Sequence, residues 1–206
     1  MTVNGTEAGS SWREYTDQGL SKVLAAALAA FVEKGYDGAS IREIAARAGL
    51  SVPGLYHHYP SKQALLVGLT NAVMRDLLDR SRAAVAEAGS TPGERFDAVI
   101  ESLLRFHMYR REQSFVASRE TRSMEPDSRQ AYIALRDEQQ QLVDDIVRDG
   151  VAAGLFRTPF PEDASRAVVT MCVSVATWYR EDGPLSPDEI VERYLVIARS
   201  TVGAVD

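Results

Sequence analysis

Between residues 40 and 62 the chain gathers side chains that hold anions. They are the hydroxyls of Ser40, Ser51 and Ser61, the guanidinium of Arg42, the phenol of Tyr56, the imidazole of His57, and the ammonium of Lys62; the neighbouring His58 reads as structural. Each can donate a hydrogen bond to a phosphate oxygen. Each serine stands one residue ahead of a helical pattern, where it can cap the helix and leave free N–H groups for an anion. No comparable cluster serves a reaction. The chain has no GxSxG elbow, P-loop, HExxH pair or glycine-rich dinucleotide turn. One cysteine, Cys172, excludes an internal disulfide and a cysteine-based zinc site. The neighbouring carboxylates Asp144 and Asp145 lie on a charged helix and read as solvated. No enzymatic activity, metal or cofactor is expected.

Helices must position these donors, because helical periodicity runs through almost the whole chain and strand alternation is missing. The pattern predicts an all-α fold of about nine helices. A first helix over residues 16–34 carries the stripe Leu20, Val23, Leu24, Ala27, Leu28, Phe31 and Val32, and Gly35 ends it. Ser40 with Glu43 has capping-box spacing and opens a short helix over 41–48, which Gly49 breaks. Ser51 caps a second short helix over 52–58, with Pro53 in its first turn and Pro60 as its stop. Ser61 caps a long helix to about residue 86. Thr91-Pro92-Gly93-Glu94 starts the next helix, and residues 105–125 read as irregular and arginine-rich. Further helices are expected over 127–153, over 162–180 with an uncharged run at 167–179, and after Ser186. Three segments follow: a flexible arm at 1–12, a segment opening with short helices at 13–61 and a segment of longer helices at 62–206.

Composition sets the outer limits. The 206 residues are 45% hydrophobic and 25% charged, enough for a real core. The net charge of −6 is uneven: residues 1–80 hold 8 basic and 8 acidic side chains, and residues 81–206 hold 15 and 21. Any anion-binding face therefore belongs to the first part. No stretch approaches the ~20 apolar residues of a membrane span. The first 11 residues lack the basic cluster and apolar core of a signal peptide, so a cytoplasmic protein is expected.

Two short helices joined at Gly49 have the form of a helix-turn-helix, although periodicity alone also describes an ordinary helical hairpin. Residues 26–68 are more specific. Their run AALAAFVEKGYDGASIREIAARAGLSVPGLYHHYPSKQALL resembles the TetR family of transcriptional regulators. The resemblance rests on Phe31, Gly35, Tyr36, Ser40, Ile41, Ile44, Ala45, Ala48, Gly49, Ser51, Leu55, Tyr56, Tyr59, Ser61, Lys62 and Leu65. Val52 is a departure, since the family often has Lys or Arg there. The resemblance implies that the second short helix reads the major groove of double-stranded operator DNA with its N-terminal residues. Those residues are Ser51, Val52, Pro53 and Gly54. Val52 and Pro53 suit a thymine methyl, and Gly54 permits close backbone approach. Tyr56, His57 and Lys62 are phosphate donors, Ser40 and Ser61 place helix N-termini at phosphates, and Arg42 suits a guanine or a phosphate. Arg13, on the arm, is a weaker candidate.

The resemblance also implies a homodimer built by the last two long helices. Val168, Cys172 and Ala176 are its candidates on one helix, and Ile190, Tyr194 and Ile197 on the other. The ligand pocket is expected among Phe106, His107, Tyr109, Phe115, Tyr132, Met171, Val175 and Trp178. The stretch TWYREDGPLSPDEIVERYLVIA is similar to members that release DNA on binding acyl-CoA thioesters, with Arg105, Arg110, Arg111, Arg119 and Arg122 as candidates for the CoA phosphates. The function implied is a ligand-responsive dimeric repressor released by a small hydrophobic effector, with an acyl-CoA thioester as one candidate. An activator, or a regulator that needs its ligand to bind DNA, is the alternative within the fold. A helical interaction protein or an enzyme is the alternative outside it.

Overall fold

A computed structural model describes residues 12–16 and 19–205. The described residues form nine α-helices: α1 (Lys22–Gly38), α2 (Ile41–Ala48), α3 (Val52–His58), α4 (Lys62–Glu87), α5 (Pro92–Tyr109), α6 (Arg111–Arg119), α7 (Pro126–Ala152), α8 (Pro161–Trp178) and α9 (Pro187–Val202). A 3₁₀ turn, Glu120–Ser123, joins α6 to α7. The only β-type pairing among the described residues is an isolated bridge between Phe156 and Ala204.

Local chemistry accounts for most boundaries. Pro92, Pro126, Pro161 and Pro187 each occupy the first position of a helix, where a missing N–H leaves nothing unpaired. Thr91 with Glu94 and Ser186 with Glu189 form complete capping boxes. The expected box at Ser40 is only half made. The Ser40 hydroxyl accepts from the Glu43 N–H at 3.2 Å, but the Glu43 carboxylate turns to Lys34 and Arg47. Gly49 closes α2 with φ +69°, a backbone state that favours glycine and lets the chain turn at once into α3.

Three expectations need correction. Helix α1 begins at Lys22 and not near residue 16, because the Ser21 hydroxyl caps it by accepting from the Leu24 N–H. It also continues past a kink at Gly35 to Gly38. The stretch read as irregular is the end of α5, all of α6 and the 3₁₀ turn. Its arginines hid a buried face made by Gln113, Val116 and Ala117. Of the flexible arm expected at 1–12, residues 1–11 fall outside the described residues, while Trp12 is buried, with its indole N–H on Glu87 at 2.9 Å.

The core is continuous. Phe31, Ile44, Leu55 and Leu65 fill the N-terminal end, and Phe96, Leu103, Val143 and Val147 fill the other. Helix α4 runs through both parts and packs on α1, α5, α6 and α7.

Candidate DNA-reading head and effector cavity

Helices α1 to α3 make the reading head. Leu55 anchors α3 in the core with no exposed surface, and Tyr59 packs against Gly68 of α4 so closely that a Cβ there would lie 2.6 Å from its ring. The outward side of α3 then presents Ser51, Pro53, Tyr56, His57 and His58, all exposed. Gly54 is half-buried. Val52 is half-buried too and packs on the core, so less of it faces outward than expected. The hydroxyls of Ser51 and Ser61 each cap their own helix, accepting from the N–H groups of Gly54 and Ala64 at 3.1 and 3.0 Å.

The cations divide into committed and free. Lys34 and Arg47 are held by Glu43, and Arg47 also pairs with Glu33. Those partners, Lys34 first and then Arg47, hold the Glu43 carboxyl below its ordinary range. Lys62 is not a free cation of the surface. Its ammonium donates to the carbonyls of Tyr36 at 2.8 Å and Ala39 at 3.1 Å and lies 4.5 Å from the Tyr36 ring centroid. It therefore ties the start of α4 to the end of α1. Arg13 is also elsewhere, paired with Glu87 of α4 and Glu101 of α5. Arg42 is exposed and makes no hydrogen bond or ion pair with the described residues. A second free cation, Lys22, escaped the sequence reading: its ammonium lies 3.3 Å from where a Cβ on Gly49 would be, beside the turn between α2 and α3. Nothing local links positions 22 and 49; only the packing of α1 on α2 does.

Below the head lies a cavity of about 580 Å³ walled by α4 to α8. Val73, Met74 and Leu77 of α4 and Leu103 and Phe106 of α5 supply apolar wall. His107, Ser114 and Gln139 supply polar atoms, and Arg136 and Arg166 stand exposed at the rim. Of the eight expected ligand residues, Phe106, His107 and Tyr132 line this cavity. The others do not. Val175 is core with no exposed surface, while Phe115 and Trp178 are about half exposed. Met171 borders a shallow surface depression instead. Tyr109 stacks on Tyr15 at 4.7 Å beside a separate, polar cleft.

His107 is 4% exposed, and its Nδ1 donates to the Leu103 carbonyl at 2.7 Å. Burial pushes its pKa down to about 4, so the ring is neutral at pH 7 and Nε2 is a bare acceptor. Gln139 is 3% exposed, and neither its Nε2 nor its Oε1 has a partner in the protein. The Ser114 hydroxyl is likewise buried and unpartnered. Cys172 is fully buried and burial pushes its thiol up, which removes it as a redox sensor.

The arginines expected to hold CoA phosphates have other duties. Arg105 pairs with Glu101 and Asp188, Arg110 with Asp76, and Arg111 donates to the Ala176 carbonyl. Arg122 donates to the Arg119 carbonyl, and Arg119 lies over Phe115 and 3.9 Å from Glu120. The guanidinium groups of the rim arginines, Arg136 and Arg166, make no hydrogen bond or ion pair with the described residues.

The expected dimer residues also separate. Val168, Cys172, Ala176 and Ile190 are buried inside the protomer, because that side of α8 and α9 packs on the domain's own helices. Tyr194 is half-buried, with its ring 5.8 Å from Trp178. Ile197 is 47% exposed, and Val173, Trp178 and Val196 are also exposed on the same two helices.

Comparison with known proteins agrees with both halves. Residues 23–69 match the family model for bacterial regulatory proteins of the tetR family, and residues 89–202 match that for the tetracyclin repressor-like C-terminal domain. The HTH-type transcriptional repressor KstR2 of Mycobacterium tuberculosis is 29% identical over 179 residues, covering 85% of this chain and 88% of the relative. A crystal structure of a tetR-family bacterial regulatory protein from Rhodococcus RHA1 superposes with a TM-score of 0.82 at 26% identity, covering 93% of this chain and 100% of that one. PfmR, a TetR family transcriptional regulator from Thermus thermophilus, superposes with a TM-score of 0.79 at 28% identity, covering 90% and 100%. With its helix-turn-helix head, its all-helical second part and both family models matched, the chain belongs to the TetR family of bacterial transcriptional regulators.

Proposed function

We propose that the protein is a dimeric repressor that holds a pseudo-palindromic operator until a small, mainly apolar effector fills the cavity between α4 and α8. The observation that carries this is the course of α4. Its first residue, Lys62, grips the α1 carbonyls of the head, and about three turns further on Val73, Met74 and Leu77 wall the cavity. A ligand that seats best with α4 displaced moves the head with it. The shift can be no larger than the ligand's difference in affinity for the two arrangements. The two heads are held by the apolar surface of α8 and α9 at Val173, Trp178, Val196 and Ile197. Repression, not activation, is supported by the relatives of the KstR2 type, which are described as repressors. An acyl-CoA effector is favoured by Arg136 and Arg166, two unpaired guanidinium groups where CoA phosphates would leave the cavity.

Fluorescence anisotropy on DNA from the gene's own upstream region, with and without an acyl-CoA pool, tests the reading. Tight binding released by the pool supports it. Binding strengthened by the pool replaces the repressor with a ligand-requiring regulator. Binding indifferent to it removes the CoA assignment. Two finer results are expected. With Lys22 and Arg42 as the free cations of each head, the log–log salt dependence should have a slope of roughly −4 for the dimer. Arg42→Ala should weaken operator binding by about tenfold to a hundredfold. Lost discrimination between operator and mutated sites would mark a base contact, and a shallower salt slope alone would mark a phosphate contact.

A further inference from the structure

Three polar groups inside the cavity make a demand that a purely apolar effector does not meet. Gln139 has an amide with both a donor and an acceptor unpartnered, at 3% exposure. The Ser114 hydroxyl is buried and unpartnered. His107 donates through Nδ1 to its own helix, which leaves Nε2 to accept. A buried polar group without a partner is costly, and a well-packed apolar site would not carry three. Water can meet them in the free protein, but an apolar ligand that expels water leaves them bare.

The sign of charge also matters. The charged groups that line the cavity are Arg136, Asp137 and Arg166, all exposed on its rim. Arg136 stands one turn before Gln139 on α7, but it is exposed while Gln139 is buried, so a carboxylate seated against the Gln139 amide would be desolvated with its counter-ion out at the solvent edge. Nor can a carboxylate donate to the bare His107 Nε2.

We propose that the effector carries an uncharged group that both donates and accepts a hydrogen bond, a hydroxyl on an apolar body, at the end that reaches Gln139, His107 and Ser114. This rests on the cavity being the effector site. The hydroxyl donates to His107 Nε2 or Gln139 Oε1 and accepts from Gln139 Nε2 or the serine. Any charge the effector bears remains at the arginine rim.

Binding of three rigid probes of one shape tests this without DNA, so it is independent of repressor activity. The probes are 1-adamantanol, 1-methyladamantane and 1-adamantanecarboxylate, each small enough for a cavity of about 580 Å³. Affinity is read by ligand-detected NMR on the full-length protein. The wild type should bind the alcohol about tenfold more tightly than the methyl compound, and the carboxylate no better than the methyl compound. Gln139→Leu should lose that preference while keeping affinity for 1-methyladamantane and melting at or above the wild-type temperature. His107→Leu should reduce the preference in part. Equal affinity for alcohol and hydrocarbon, an unchanged preference in Gln139→Leu, preference for the carboxylate, or binding of none of the three would each overturn the proposal.

Discussion

Ile197→Asp is expected to leave the fold intact, to convert the protein to monomers in sedimentation velocity and to lower operator affinity by at least about a hundredfold. Ile197 is 47% exposed in the protomer, so an aspartate there costs the monomer little. In a two-fold interface through this face the same position occurs twice, and both carboxylates would be desolvated against apolar surface. The effect on DNA should be large because one head offers few contacts. Lys34 and Arg47 are neutralised by glutamates and Lys62 is spent on α1 carbonyls. Val168→Ala is the control. Val168 is 1% exposed inside the protomer, so its truncation should lower unfolding stability without separating the dimer. A dimeric Ile197→Asp would remove this face as the interface.

The second large effect is on stability against pH. His107 has a folded pKa of about 4 against an ordinary 6.5. The folded pKa is depressed, so between these values the unfolded chain takes up a proton that the folded chain refuses. Stability should therefore fall as the pH drops from about 6.5 toward 4, by about 3 kcal/mol for this group. Its cause is burial, opposed by the bond to the Leu103 carbonyl. Chemical denaturation at pH 7.5 and 4.5 measures it. His107→Leu should flatten the dependence by about 2–3 kcal/mol, the rest coming from paired carboxylates such as Glu101, held low between Arg13 and Arg105. An unchanged slope in the variant would mean that His107 is solvated.

Some features of the site were legible because they depend on neighbours within one turn. Ser21, though, capped a helix that the apolar stripe alone started too early. Residues 105–125 read as irregular because five arginines interrupt the apolar pattern there, although Val116 and Ala117 hold the buried face. Gln139 carries a signal in the sequence. It stands on the α7 stripe of Tyr132, Leu135, Val143 and Ile146, where an apolar residue would be ordinary.

Most helices, the starts at Ser51, Ser61, Thr91 and Ser186 and the turn at Gly49 are legible in the sequence, since each depends on residues a few positions apart, and the family is legible in the run over 26–68. Tertiary structure alone decided which charges are free and which polar groups are orphaned. Lys62 meets a carbonyl 26 positions away, Arg13 meets a carboxylate 88 positions away, and Lys22 arrives beside Gly49. It also decided that Val168, Cys172, Ala176 and Ile190 face inward while Ile197 faces out. A helix's period shows that it has an apolar side. What covers that side, and which ion pairs form above it, depends on how distant helices pack, and the local pattern does not encode it.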